Sequence, residues 1–220
     1  MKYKSVFDII GPVMIGPSSS HTAGAARLGR AARTLFGQEP TWAEIYLYGS
    51  FAKTYKGHGT DVAIVGGLLG YSTDDKRISN ALEIAEKNGL NIRFHEDEAS
   101  TEHPNTARIK IGNEKSELEL VGISIGGGKV EITELNGFEL HLSGNHPAIL
   151  ALHNDRFGAI ASVTHILAKY QINIGRMEVA RKDVGEEAMM VMEVDQNVDD
   201  SILRELERAD HILQIAKIVD

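Results

Sequence analysis

The spacing of the apolar residues changes period along this chain, and that change restricts it to folds that combine helices with sheets. Ala25, Leu28, Ala32 and Leu35 recur at three- and four-residue intervals before Gly37, the signature of a helix with one buried face. Ile45 and Leu47 alternate as in a short strand that runs into Gly49-Ser50, and Val62 to Leu69 reads as a buried helix despite Gly66 and Gly67. A further helix carries Ile78, Ala81, Leu82 and Ala85 and stops at Asn88-Gly89, a usual helix ending. From Ile92 to Leu142 the period becomes two: Ile109 and Ile111, Leu118 and Leu120, Ile123 and Ile125, Val130 and Ile132, Leu140 and Leu142. Turn-forming Gly112-Asn113, Gly126 to Gly128 and Asn136-Gly137 punctuate these runs, which predicts antiparallel strands.

After the polar stretch Ser143 to Pro147 the order becomes strand, helix, strand, strand, helix, strand. Ile149 to His153 is apolar, Ile160, Val163, Ile166, Leu167 and Tyr170 share a helical face, and Ile172 to Val179 can extend. Ala188 to Val194 and Ile212 to Val219 supply the other strands, with a charged helix around Leu203 and Leu206. This is the split βαβ pattern of a ferredoxin-like βαββαβ unit. The expected class is α+β in two domains, 1–145 and 146–220.

With 220 residues, 42% of them hydrophobic, the chain can fill two cores. Its formal net charge of -8 and the lack of any basic run argue against nucleic acid or an anionic membrane as partner. The opening segment has an apolar stretch broken by Asp8 and by Gly11-Pro12, unlike a signal peptide, and no run is long enough to span a bilayer. The expected address is the cytoplasm. Cysteine is absent, so the chain offers no disulfide, no thiol nucleophile and no thiolate for zinc or an iron-sulfur cluster.

Three segments carry residues suited to chemistry. In Gly16 to Gly24, Ser18, Ser19, Ser20, His21 and Thr22 lead directly into a helix. Unpaired amides there favour an anion such as a carboxylate among the hydroxyls, although a plain N-cap uses the same residue types. In Gly49 to Asp61, glycines flank His58, with Lys53 upstream and Thr60 and Asp61 just after. An unobstructed imidazole whose tautomer Thr60 or Asp61 fixes suits a general base, and an ordinary surface turn is the competing reading. In His103-Pro104-Asn105-Thr106, Asn105 is placed either to bond a substrate or to form a turn.

Other motifs fail on inspection. Gly126-Gly127-Gly128-Lys129 lacks the upstream Gly and the following Ser or Thr of a phosphate-binding P-loop, and the histidines follow no metal-ligand spacing. In the C-terminal domain, Asn154, Asp155 and Gly158 join the first strand to its helix, and Asn173 opens the second strand. Asp155 is suited to capping that helix, and Gly158 leaves the surface open to an effector or a partner domain.

In order, GPSSSHTAG at 16–24, Gly49-Ser50, KGHGTD at 56–61, HPNT at 103–106, GISIGGGK at 122–129 and SGNHP at 143–147 resemble the iron-sulfur-dependent L-serine dehydratases, specifically the beta chain of the two-chain form. The resemblance spans essentially the whole chain. It implies a mixed α/β domain similar to the allosteric substrate-binding domain of some phosphoglycerate dehydrogenases, followed by an ACT domain. It also implies an alpha chain whose cysteines hold a [4Fe-4S] cluster, L-serine as substrate, and no activity for this chain alone. Pyridoxal phosphate is not implied.

By resemblance together with the residue chemistry, His58 is the expected base, with Thr60 as its neighbour at the substrate. Ser18 to Thr22 anchor the carboxylate, and Lys53 and Asn105 are polar contributors. The ACT residues Asn154, Asp155, Gly158 and Asn173 are expected at an effector site or an interface. Self-pairing through ACT sheets implies a homodimer, or a heterotetramer with the alpha chain. Two other readings stay open: a regulatory module that senses an amino acid or a cation, and a scaffold that only assembles its partner.

Overall fold

A computed structural model describes residues 19–144 and 146–218, with side chains from residue 21. Ser18 therefore lies outside the described residues, and Ser19 and Ser20 are described in backbone only. The described residues divide into two compact units at the Asn136–Gly137 junction. The strand Phe138–Leu142 is thus grouped with the second unit, although the sequence pattern assigns it to the first.

In the first unit a π-helical turn, Ser19–Ala23, runs straight into α1 (Gly24–Phe36). Then follow β1 (Trp42–Tyr48), α2 (Gly49–His58), α3 (Thr60–Leu68), a 3-10 turn (Lys76–Asn80) and α4 (Ala81–Lys87). The strands β2 (Asn91–Asp97), β3 (Thr106–Gly112), β4 (Glu117–Gly126) and β5 (Lys129–Leu135) complete it. They lie in the order β2-β1-β3-β4-β5.

The expected antiparallel pairing is found throughout except at β2, which runs parallel to β1, with Trp42 opposite Asn91 and Tyr48 opposite Asp97. The reason is the intervening helical segment: a crossover through helices returns the chain in the same direction. The inward positions Ala43, Ile45, Leu47, Ala107, Ile109, Ile111, Leu118 and Leu120 are buried, and α1 packs on this face with Ala25, Leu28 and Ala32. Each fully buried Leu or Ile contributes about 1.5–3 kcal/mol.

α1 and α3 cross in backbone contact. A Cβ on Gly29 would lie 2.1 Å from the Ile64 carbonyl oxygen, and one on Gly67 2.1 Å from that of Ala26. Only glycine permits this approach.

β4 departs from the alternation expected of it. Leu118 and Leu120 point inward, but the next inward residues are Gly122 and Ser124, while Ile123 and Ile125 are half-buried. It is one continuous strand, with register shifts against β5 at Val121/Gly122 and Ser124/Gly126. Small residues are required inside because α1 begins there: a Cβ on Gly122 would lie 2.4 Å from Leu28 Cδ2, and one on Gly24 1.9 Å from Ser124 Oγ.

The second unit contains β6 (Phe138–Leu142), β7 (Ala148–Asn154), α5 (Ala159–Lys169), β8 (Ile174–Arg181), β9 (Glu187–Val194), α6 (Asp200–Leu206) and β10 (Ile212–Ile218). Four strands form an antiparallel sheet in the order β10-β7-β9-β8. This is the expected ferredoxin-like βαββαβ arrangement. Ile149 and Ala151 on β7 face Met192 and Met190 on β9, and Val163 and Leu167 of α5 with Ile202 and Leu206 of α6 close the core.

Candidate active site

The polar residues of the first unit converge at one end of its sheet. β1 and β2 end there, β3 starts there, and β4 ends there, since Leu47 lies opposite both Glu96 and Ala107, and Thr106 opposite Ile123. The serine turn, both ends of α2, the start of α3 and the 103–106 loop surround it.

The 49–61 segment folds as two helices rather than as a loop. Tyr48 is still extended, and the Ser50 and Phe51 amides donate to the Pro104 carbonyl at 2.6 and 3.4 Å, which satisfies the open first turn of α2. Phe51 is fully buried and anchors the helix. At the far end Gly59 adopts φ 67°, a left-handed conformation that costs glycine little, and α3 begins at once with Thr60. His58 is therefore the last residue of α2.

Adjacent residues of the serine turn hold α2 at both ends. His21 Nε2 and Ser50 Oγ are hydrogen-bonded at 3.0 Å, and Thr22 Oγ1 donates to the His58 carbonyl at 3.2 Å. The His21 ring stands edge-on to His58, with centroids 4.7 Å apart and planes at 88°, and also meets Phe51 edge-on at 5.5 Å. Burial, and secondarily the neighbouring His58, hold the His21 imidazole below its ordinary pKa.

Three buried polar atoms here have no hydrogen-bond partner among the described residues: His58 Nδ1, Thr60 Oγ1 and Ser124 Oγ. Thr60 and Ser124 are completely buried. Neither proposed neighbour fixes the His58 tautomer: Thr60 Oγ1 is unpaired, and Asp61 Oδ1 accepts from the Val62 amide at 2.8 Å. Unpaired buried groups are costly in a folded protein, and their concentration at one place marks a site built for something other than stability.

Asn105 joins the cluster through β4: its carbonyl accepts from the Ser124 amide at 2.9 Å, and its Nδ2 reaches the Ser124 carbonyl at 3.4 Å. His103 shapes the loop, its Nδ1 accepting from the Asn105 amide at 3.1 Å and its carbonyl accepting from Thr106 Oγ1 at 2.6 Å. Burial lowers its pKa.

Lys53 lies apart from these residues. It stands five positions before His58 on α2, roughly 140° around the helix. It lines a cleft of about 780 Å³ with Gly49, Glu96, Glu98, Thr101 and Pro104.

Ser50 and Ser124 lie in segments that carry the resemblance, but the sequence assigns neither a site role. Ser50 carried a signal in its place directly after the strand-ending Gly49. Ser124 carried one as the single hydroxyl within the apolar run Val121 to Ile125, where a polar residue is unusual.

In the second unit Asp155 does not cap α5. The N-cap is Gly158, at φ 92° and without a side-chain hydrogen bond. Asp155 Oδ2 instead accepts from the Gly185 amide at 3.0 Å and from Arg181 Nη1 at 3.3 Å, tying together the 154–158 and 181–186 loops. The Gly185 amide is the main cause of its lowered pKa, with Arg181 adding to it. Asn154 donates its amide to the His211 carbonyl, and Asn173 Nδ2 donates to Asp195 Oδ2 at 2.7 Å.

The serine dehydratase beta chain family matches residues 5–134, and the ACT domain family matches residues 148–211. The chain belongs to the serine dehydratase beta chain family. It is 67% identical to the probable L-serine dehydratase beta chain of Bacillus subtilis (strain 168) over 220 residues, all of both chains. It is 36% identical to the L-serine dehydratase beta chain of Peptoniphilus asaccharolyticus over 90% of each. A shorter similarity, 28% over 141 residues, links this beta chain to D-3-phosphoglycerate dehydrogenase of B. subtilis, covering 64% of this chain and 27% of that one. Among the described residues of this beta chain no helix is long and apolar enough to cross a membrane.

Proposed function

We propose that this chain is the beta subunit of an L-serine ammonia-lyase that, with an alpha subunit carrying a [4Fe-4S] cluster, converts L-serine to pyruvate and ammonia. The observation that carries the reading is His58: a ring nitrogen buried without a protein partner, held on a helix end that the serine turn ties down. A partially buried imidazole whose Nδ1 has no protein partner is suited to take a proton from a substrate.

Loss of water from serine needs a base for the α-hydrogen and an anchor for the carboxylate. His58 takes the proton, and Thr60, buried beside it in sequence and unpaired, is the substrate's hydroxyl neighbour. Ser18 to Thr22 hold the carboxylate, in the segment that leads without a break into α1. Asn105 adds a polar contact, and Lys53 supplies positive charge at the neighbouring cleft. The electrons left by the α-proton form the Cα–Cβ double bond as the Cβ–O bond breaks and the hydroxyl, taking up a proton, leaves as water. The resulting aminoacrylate tautomerises to an imine, which takes up water and releases ammonia to leave pyruvate.

Iron-sulfur clusters are held by thiolates. This chain has no cysteine, and its described residues include no group of three or more side chains that could hold a metal. Its residues do not fit the cluster, whose ligands are assigned to the alpha subunit. A cluster-bearing partner suits the reducing cytoplasm, the proposed address. The ACT unit pairs with a second copy under this reading, with Asn154, Asp155, Gly158 and Asn173 at its effector site or interface. Light scattering that finds only monomer would count against pairing.

The test is anaerobic pyruvate formation from L-serine by this chain, by its alpha partner and by the mixture, with His58→Ala alongside. Activity in the mixture alone, abolished by His58→Ala while the two chains still associate, supports a shared site. Full activity of the partner alone, or of the His58→Ala mixture, returns the chain to a regulatory or scaffold role.

A further inference from the structure

We propose that Ser50 is a positioning residue for this elimination, acting on His58 through the ring of His21. The inference rests on the reading of His58 as the base. Ser50 sits in the first turn of α2 and His58 at its last residue, too far apart along one helix to touch. The His21 ring bridges them, hydrogen-bonded to Ser50 Oγ at 3.0 Å and set edge-on to His58 at 4.7 Å.

Edge-to-face contact orients one ring against another only while neither can turn, because the attraction depends on the plane angle. His58 has no hydrogen bond of its own at Nδ1, and neither Thr60 nor Asp61 holds it. The His21 ring is then a wall that sets the His58 rotamer, and the Ser50 hydroxyl is a bond that helps keep that wall upright, beside its edge contact with Phe51. Burial keeps His21 neutral beside His58, which removes the repulsion two imidazolium rings would feel at this distance. The Ser50 backbone is itself fixed, its amide on the Pro104 carbonyl and its carbonyl accepting from Thr54 Oγ1 at 2.7 Å. The hydroxyl therefore stands on a rigid support, as a positioning group requires.

The experiment uses the full chain assembled with its alpha partner. Ser50→Ala is expected to lower kcat about tenfold to hundredfold, the scale of a small misplacement of a reacting group, with KM little changed. Ser50→Thr, which keeps the hydroxyl, is expected to recover most of the rate. In the full chain alone, the imidazole nitrogen resonances of both His21 and His58 should move in Ser50→Ala and return in Ser50→Thr. Wild-type kcat in Ser50→Ala, while His58→Ala is inactive, overturns this inference and leaves the base assignment standing. An active His58→Ala overturns both. A loss in Ser50→Ala that Thr does not recover, with a lowered melting temperature, reduces Ser50 to a structural role.

Discussion

Both units contain histidines with a buried, unpartnered ring nitrogen, His58 and His95 in the first and His153 in the second, and the settings of His58 and His153 differ in a way that separates function from packing. In the first unit the unpartnered Nδ1 of His58 is accompanied by the unpaired hydroxyls of Thr60 and Ser124, on α2, α3 and β4, three elements that the serine turn touches. In the second, His153 is 2% exposed on β7, its Nδ1 bonded to the Asn154 carbonyl at 2.8 Å, and Nε2 is the one buried side-chain atom without a partner there among the described residues. A solitary unmet acceptor is a tolerated packing cost, whereas several together define a place prepared for a polar guest.

The largest effect expected from this contrast lies in the two histidines themselves. His58→Ala in the assembled enzyme should cost about 10²- to 10⁴-fold in kcat, the usual yield of a general base. His153→Leu, of similar bulk, should leave turnover near wild type and change stability by under about 1 kcal/mol. Equal losses in the two variants would break the comparison.

Next comes Thr60→Val, which keeps the shape and removes an unmet hydroxyl. Thermal melting should show a gain of up to about 1 kcal/mol, because a buried polar group without a partner destabilises the fold. Turnover should fall at the same time, about tenfold if that hydroxyl meets the substrate. A variant that gains stability without losing rate removes Thr60 from the site.

The units should also respond differently to acid. His21 and His103 in the first unit have pKa values depressed below 6.5, chiefly by burial. The unfolded chain binds those protons first, so their contribution is fully present above that pH and is lost as pH falls through it toward the folded values. The lowered groups of the second unit are carboxylates: Asp155 held by the Gly185 amide, Asp200 by Lys217 and Glu205 by Lys169, with reference values of 3.8, 3.8 and 4.5. Their contribution is present above those values and lost only in stronger acid. Between neutral pH and about pH 5.5, hydrogen-exchange protection, taken relative to the slower intrinsic exchange in acid, should therefore fall in first-unit peptides and hold steady in the second.

The smallest effect is expected at Asp155. Asp155→Ala removes its bonds to Gly185 and Arg181 at a solvated position, where screening leaves little effect on global stability. Faster exchange confined to the 154–158 and 181–186 loops is the sharper readout.

Periodicity carried the βαββαβ fold of the second unit almost entirely, because its six elements are local runs whose apolar spacing matches their final form. It also carried α1, α3 and the antiparallel strands of the first. It misled at β4, where Ile123 and Ile125 are the conspicuous residues but Gly122 and Ser124 take the inward places under α1. It misled again at α2, where glycines at 57 and 59 suggested a loop and the Pro104 carbonyl caps a helix. Asp155 read as a cap because its bond to Gly185 spans thirty positions. The site was legible as three segments of suggestive residues. The contacts that make it a site, His21 to Ser50 and Thr22 to His58, cross 29 and 36 positions, beyond the reach of local patterning.

The glycine crossing of α1 and α3 sets a gauge for all of this. The serine turn leads into one of those helices and Thr60 opens the other, so the gap between them is fixed by main-chain thickness and not by any side chain that a substitution could trim. Sequence drift around the site can change what its groups are. It has no means of changing how far apart those two walls stand, short of replacing Gly29 or Gly67 and forcing the helices apart.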